Sequence, residues 1–166
     1  MDALIKWISS TSLSQAIQNY EWAVPTIQSI HILGVCVMLS SVGMIVLRLM
    51  GKAGTRTSVA DTARRYVPWM WGALIVLFCT GLLLVIGEPR RELTNIMFQI
   101  KMLLVLCAIA IIAVFQRSAM RHPEFWNHEP ESARIKMMAA GALILFFAIA
   151  VAGRWIAYVI MDYAAA

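Results

Sequence analysis

The sequence predicts an all-α membrane protein: a four-helix transmembrane bundle, up-down-up-down, with an N-terminal interfacial amphipathic helix. Three observations carry that prediction. Of the 166 residues, 61% are hydrophobic and 14% charged, against roughly 45–50% and 25% in soluble domains. The apolar residues fall into four runs, each long enough to cross a ~30 Å hydrocarbon core at ~1.5 Å per residue. The basic residues gather in the short stretches between those runs, which is a topology signal. The net charge of +5 therefore reads as orientation in a bilayer and not as a nucleic-acid surface.

Residues 1–24 are too polar to span. Ser12 followed by Gln15 resembles a capping box, and Leu13, Ile17 and Tyr20 follow at helical spacing. With Trp7, Tyr20 and Trp22 as interfacial aromatics, this segment is expected to lie along one membrane surface. Its start shows no basic region followed by an apolar core and a cleavage site, so no secretory signal peptide is read there. Residues 25–166 form the bundle, and Pro25 marks a break before the first span at about 26–50. A basic loop follows with Arg48, Lys52, Arg56, Arg64 and Arg65, turning at Gly51 and Gly54. The second span, about 66–87, opens on Y-V-P-W-M-W, an aromatic belt. Residues 88–92 read as a short polar turn. The third span, about 96–116, has fourteen consecutive apolar residues after Lys101. A longer loop holds Arg117, Arg121, His122, Trp126 and His128, and the fourth span, about 135–161, is interrupted by Arg154.

Nine of the fourteen Lys and Arg residues lie in or beside the first and third loops. The positive-inside bias places those loops in the cytoplasm and both termini on the outer side. Cys36, Cys79 and Cys107 fall one to a run with no C-x-x-C or C-x-x-C-H spacing. They are expected to be buried thiols acting as small apolar residues.

That topology brings three ionisable residues to similar depth. His31 lies ~9 Å below the outer start of the first span, Lys101 ~8 Å below that of the third, and Arg154 ~11 Å from the outer end of the fourth. Gln28, Thr80 and Gln99 fall near the same level, with Glu88 just above. Ionisable groups within spans are costly and face a shared interior. Lys101 and Arg154 are also near enough to the surface to snorkel, and His31 can serve as a hydrogen-bonding link between helices. As a site, the cluster suits haem: a neutral imidazole ligates iron, and cations neutralise propionates. Gly34, one turn from His31, opens a groove for a flat macrocycle. Met38, Met44, Met97 and Met102 are candidate sixth ligands. A quinone is the competing ligand, its carbonyls bonded by His31 and Lys101. Copper fits less well, since no Met-x-Met or His-x-His cluster is present.

The runs S-I-H-I-L-G-V, R-R-Y-V-P-W-M-W-G…T-G-L-L-L and F-Q-I-K-M-L-L-V-L resemble a group of small four-helix bacterial membrane proteins. That group includes the HemJ-type protoporphyrinogen oxidases and the CopD copper-resistance domain. The ending A-G-R-W-I-A-Y resembles an uncharacterised family of similar proteins, covering nearly the whole chain. The HemJ-type resemblance implies bound haem b, with His31 and Lys101 in the functional site. A bis-histidine cytochrome needs a second membrane His, and His31 is the single one in the four apolar runs. The expected function is an electron-transfer protein binding haem b, in the bacterial inner membrane, working beside redox partner subunits of a respiratory or dehydrogenase assembly. His31 would ligate the haem iron, and Gly34, Lys101 and Arg154 would contact the cofactor. The alternatives are a haem-free structural or quinone-binding subunit and a HemJ-like porphyrinogen oxidase. The expected partners are the lipid bilayer, those redox subunits and a second copy of the chain, with no nucleic acid.

Overall fold

A chain this apolar must satisfy its backbone polar groups internally wherever it leaves water, and the α-helix does so within one segment. The computed structural model describes residues 2–128 and 133–164, and no strand occurs among them. In order the helices are α1 (Asp2–Ser9), α2 (Ser12–Asn19), α3 (Ala23–Leu49), α4 (Val59–Gly87), α5 (Pro89–Leu93), α6 (Ile96–Arg121), α7 (Pro123–His128) and α8 (Ala133–Ala164). Four of these, α3, α4, α6 and α8, are long and apolar enough to cross a membrane.

The long helices outrun the predicted spans, because hydropathy registers only the part in hydrocarbon. Pro25 sits in the first turn of α3 and not ahead of it, where its missing N–H has no helical partner to lose. Residues 59–65 were expected in a loop but open α4. Ser58 caps them, its Oγ accepting from the Asp61 backbone N–H at 2.9 Å and donating to the Asp61 carboxylate at 2.6 Å. The polar turn at 88–92 is the short helix α5, entered through a Glu88–Arg91 ion pair of 2.6 Å. The turn glycines behave as read. Gly51 and Gly54 have φ of 68° and 66°, and the Lys52 N–H returns to the Leu47 carbonyl at 2.9 Å to close α3. Arg48 is drawn into this loop, only 9% exposed, and its Nε donates to the Thr57 carbonyl at 2.7 Å.

The most extensive contact is between α3 and α4. Helix α8 packs on both α3 and α6, and α4 also touches α6. Gly34 permits the α3–α4 approach: a Cβ there would lie 3.2 Å from Leu77 Cδ2. The buried apolar core is confined to one half of the long helices. It runs through Met38–Leu49 of α3, Val59–Ala73 of α4, Ala108–Ala119 of α6 and Ile135–Phe146 of α8. Trp126 of α7 closes it, edge-on to Phe115 at 5.4 Å and donating to Ser118 Oγ at 3.0 Å. In the other half of the four long helices the buried positions among the described side chains are Gly34, Thr80, Gly87 and Ile156. The cysteines correct the sequence reading: Cys36, Cys79 and Cys107 are all exposed, on outward faces of their helices. A thiol is apolar enough for a lipid-facing position, so membership of an apolar run does not imply burial.

The N-terminal segment is two helices and not one. Thr11, not Ser12, is the cap of α2, its Oγ1 accepting from the Ser14 N–H at 3.3 Å. One side of α2 closes the end of α4, whose last carbonyls have no helical donor. Ser14 Oγ donates to the Ile86 carbonyl at 2.7 Å, and Gln18 Nε2 to the Gly87 carbonyl at 2.9 Å. Leu4, Trp7, Leu13, Tyr20 and Trp22 remain exposed. The approach of α2 needs a glycine, since a Cβ on Gly87 would stand 2.8 Å from Ile17 Cγ2. Gly87→Ala is therefore expected to cost about 1–3 kcal/mol through overpacking. Hydrogen exchange should rise across 12–19 while the cores of α3 and α4 stay protected; an unchanged profile in α2 would contradict this docking.

Candidate functional site

His31 lies in the half of the molecule without an apolar core, eight residues or ~12 Å into α3. Its Nδ1 is 2.7 Å from Thr80 Oγ1 on α4. The direction of that bond follows from the threonine. Thr80 Oγ1 lies 2.6 Å from the Val76 carbonyl, one turn back, and 3.3 Å from that of Leu77. A hydroxyl has one proton, and a carbonyl can only accept it. The proton goes to the helix, so the hydroxyl lone pair accepts from His31 Nδ1–H. A neutral His31 is thereby held as the Nδ1–H tautomer, and its unprotonated Nε2 remains available to ligate or accept. The ring lies against the backbone of Gly81, where a Cβ would be 3.6 Å from His31 Cε1.

Lys101 is five residues, ~8 Å, into α6. Its amine lies over α8, with Nζ 3.3 Å from where a Cβ of Gly153 would be. The ammonium is within electrostatic range of His31 and of Glu92 on α5. Two spanning side chains from helices without extensive mutual contact thus share one electrostatic neighbourhood. Sequence inspection singled out Glu88 as the nearby acid, but Glu88 pairs with Arg91, and Glu92 is the carboxyl facing Lys101. One turn after Glu88 in α5, it had a helical signal in the Pro89 start, which was read as a turn. Burial pushes the Glu92 carboxyl above its ordinary value, aided by Glu88 and opposed by Lys101 and Arg91. Asn95, buried beside this region, caps α6 through the Met97 N–H at 2.9 Å and donates to the Ile156 carbonyl of α8 at 3.3 Å.

The other predicted residues separate. Gly34 is buried against Leu77 and also lines an apolar groove of about 570 Å³ on the α3–α4 seam, with Ile30, Val37, Trp69 and Gly72 among its walls. Arg154 directly follows Gly153 and is exposed. Gln28 is half-buried and Gln99 exposed. Met38 is in the core and Met102 faces outward. Met38 and Met44 share a helix with His31, so neither can face it across a planar ligand. Met97, one turn before Lys101 on α6, is half-buried. His122 is exposed, and the side chain of His128 lies outside the described residues. Among the described residues no three His, Cys, Asp or Glu side chains gather as a metal cluster.

Two measurements test this geometry. Thr80→Val keeps the shape but removes the acceptor for Nδ1–H; the ¹⁵N imidazole shifts of His31 should lose their single-tautomer pattern, and Thr80→Ser should restore it. For Glu92, burial favours the protonated carboxyl in the folded protein. Its contribution to stability is fully present below the ordinary value of 4.5 and is lost as pH rises through the raised value. Glu92→Gln should flatten the thermal-unfolding midpoint across that window, and an unaltered slope would exclude the assignment.

A family described as "Family of unknown function (DUF6644)" matches residues 4–159, which takes in α2 to α7 entirely and most of α1 and α8. No curated protein and no solved structure matches the chain. The likeness to the HemJ-type and CopD groups rests on the residues quoted for it alone.

Proposed function

This chain belongs to the family DUF6644, of unknown function, and we propose that it is a membrane-embedded electron-transfer protein binding haem b through His31. The observation that carries the reading is the Thr80–His31 hydrogen bond, which commits Nδ1 and leaves Nε2 free inside a spanning helix. Metal-bound imidazoles have their second nitrogen fixed in this way, setting tautomer and ring plane. When bound, haem supplies one-electron chemistry, and its iron accepts an imidazole nitrogen. Within the chain, His31 would hold the iron through Nε2, Thr80 orients the ring, and Gly81 lets it lie against α4. Gly34 narrows the α3 surface beside it. Lys101 and Arg154 offer cations to propionates, with Glu92 balancing the charge of Lys101. Met97 is the methionine placed to approach from α6.

In this reading the four long helices cross the bacterial inner membrane up-down-up-down as one bundle. The basic loops are cytoplasmic, both termini are periplasmic, and α1 and α2 lie in the outer interface. Exposed Trp7 and Trp22 support that interfacial placement. Electrons pass to and from partner redox subunits or a second copy of the chain.

A second reading is favoured by the apolar groove on the α3–α4 seam: a quinone whose isoprenoid tail lies there while His31 and Lys101 bond its carbonyls. A visible spectrum separates the two. Protein from haem-replete cells should show a Soret band, and His31→Ala should lose most haem while the helices stay folded, no second spanning His being present. Lys101→Met should shift the potential or weaken retention with iron ligation unchanged. Haem content per polypeptide that is unaltered in His31→Ala would remove the assignment and leave the quinone reading. Orientation is checked with an impermeant thiol reagent on cysteine-free backgrounds in intact cells: at the exposed positions 10 and 55, Ser10→Cys should react and Thr55→Cys should not.

A further inference from the structure

The far end of the molecule from His31 carries a second feature that the haem reading does not use. On the last turns of α6, Ala113, Gln116, Arg117, Met120 and Arg121 border a shallow depression of about 390 Å³. Their spacing puts all five on one helix face. Ala113 is exposed one turn before Arg117, and Arg117, Met120 and Arg121 are exposed over the turn that follows. Among the described residues neither arginine forms an ion pair. The Gln116 amide is oriented by α4: Trp71 Nε1, a group that only donates, bonds Gln116 Oε1 at 2.8 Å. The Gln116 NH₂ therefore keeps its donors for another acceptor. That bond also sets the depression level with the fourth turn of α4. Among the described residues no acid lines the depression, and the carboxyl nearest in sequence, Glu124, is exposed on α7.

We infer that this face of α6 binds an anionic phospholipid, its phosphate held by Arg117, Arg121 and the Gln116 amide and an acyl chain laid over Met120 and Ala113. The chemistry is complementary at each part. Two guanidiniums spaced by a helical turn match a phosphate diester by charge and by parallel N–H donors. Ala113 lies on the span side of both arginines and continues the apolar run 102–115 of α6, which selects a lipid over a soluble phosphate. The C-terminal end of a helix is itself unfavourable to an anion, so binding rests on the side chains and is removable by neutralising them. Nothing in this inference depends on what His31 binds.

Purified protein in a mild detergent is exchanged against mixed micelles of phosphatidylglycerol and phosphatidylcholine, and retained lipid is counted by native mass spectrometry. The wild type should hold one phosphatidylglycerol in preference to phosphatidylcholine. Arg117→Gln with Arg121→Gln should weaken that retention about twenty-fivefold, given roughly fivefold per basic residue near an anionic surface. Lys52→Gln with Arg56→Gln removes the same charge from the exposed loop after α3 and should leave retention unchanged. Ala113→Phe, which covers the acyl bed without altering charge, should weaken it too. Equal loss in both arginine pairs would show only a diffuse basic field and overturn the site. Equal retention of phosphatidylcholine, or displacement of the lipid by millimolar inorganic phosphate, would overturn the anionic-lipid assignment.

Discussion

Hydrocarbon offers no hydrogen-bond partner, and the placement of polar side chains in this protein follows from that constraint. Among the described residues no buried side-chain nitrogen or oxygen lacks a partner. Ser41 returns its hydroxyl to the Val37 carbonyl of its own helix at 2.8 Å. Asn95 ties the start of α6 to α8. Ser14 and Gln18 supply α4 with the donors its last turn lacks. Thr80 serves both purposes at once, returning its proton to its own helix and receiving one from His31. A single hydroxyl thus fixes which nitrogen of an intramembrane imidazole is left for chemistry.

The two halves of the long helices divide the work. Around Arg48, the four long helices and α7 interlock through a continuous apolar core, and the loop after α3 is tied down by the buried guanidinium. Around His31 the buried positions of α3 and α4 are small or polar, and ionisable side chains rest on neighbouring glycines. His31 lies on Gly81 of α4, and Lys101 on Gly153 of α8. Rigid packing at one end holds the helices in register, so the other end can be given over to groups whose packing is poorer and whose chemistry is richer. Sites in helical bundles are built in this way, from side chains projecting inward on facing helices.

Much of this was legible in the chain. Four runs of apolar residues with basic connections determine four long helices, because only a helix can leave water without exposing backbone. Gly51 and Gly54 announced their turn because only glycine adopts that backbone at no cost. The singular positions of His31 and Lys101 marked them for the same reason of burial cost. What the tertiary structure alone decided is everything that depends on which face a helix turns to which neighbour. The three cysteines sit outside, Arg154 is exposed, Glu92 and not Glu88 answers Lys101, and Thr80 rather than another polar group takes His31 Nδ1. In a run that is apolar on every side, hydropathy has almost no azimuthal component, so sequence periodicity cannot assign faces. Rotation about each helix axis is set by contacts such as Gly34 on Leu77 and Gly87 on Ile17, made between residues 43 and 70 positions apart, and no local pattern encodes them.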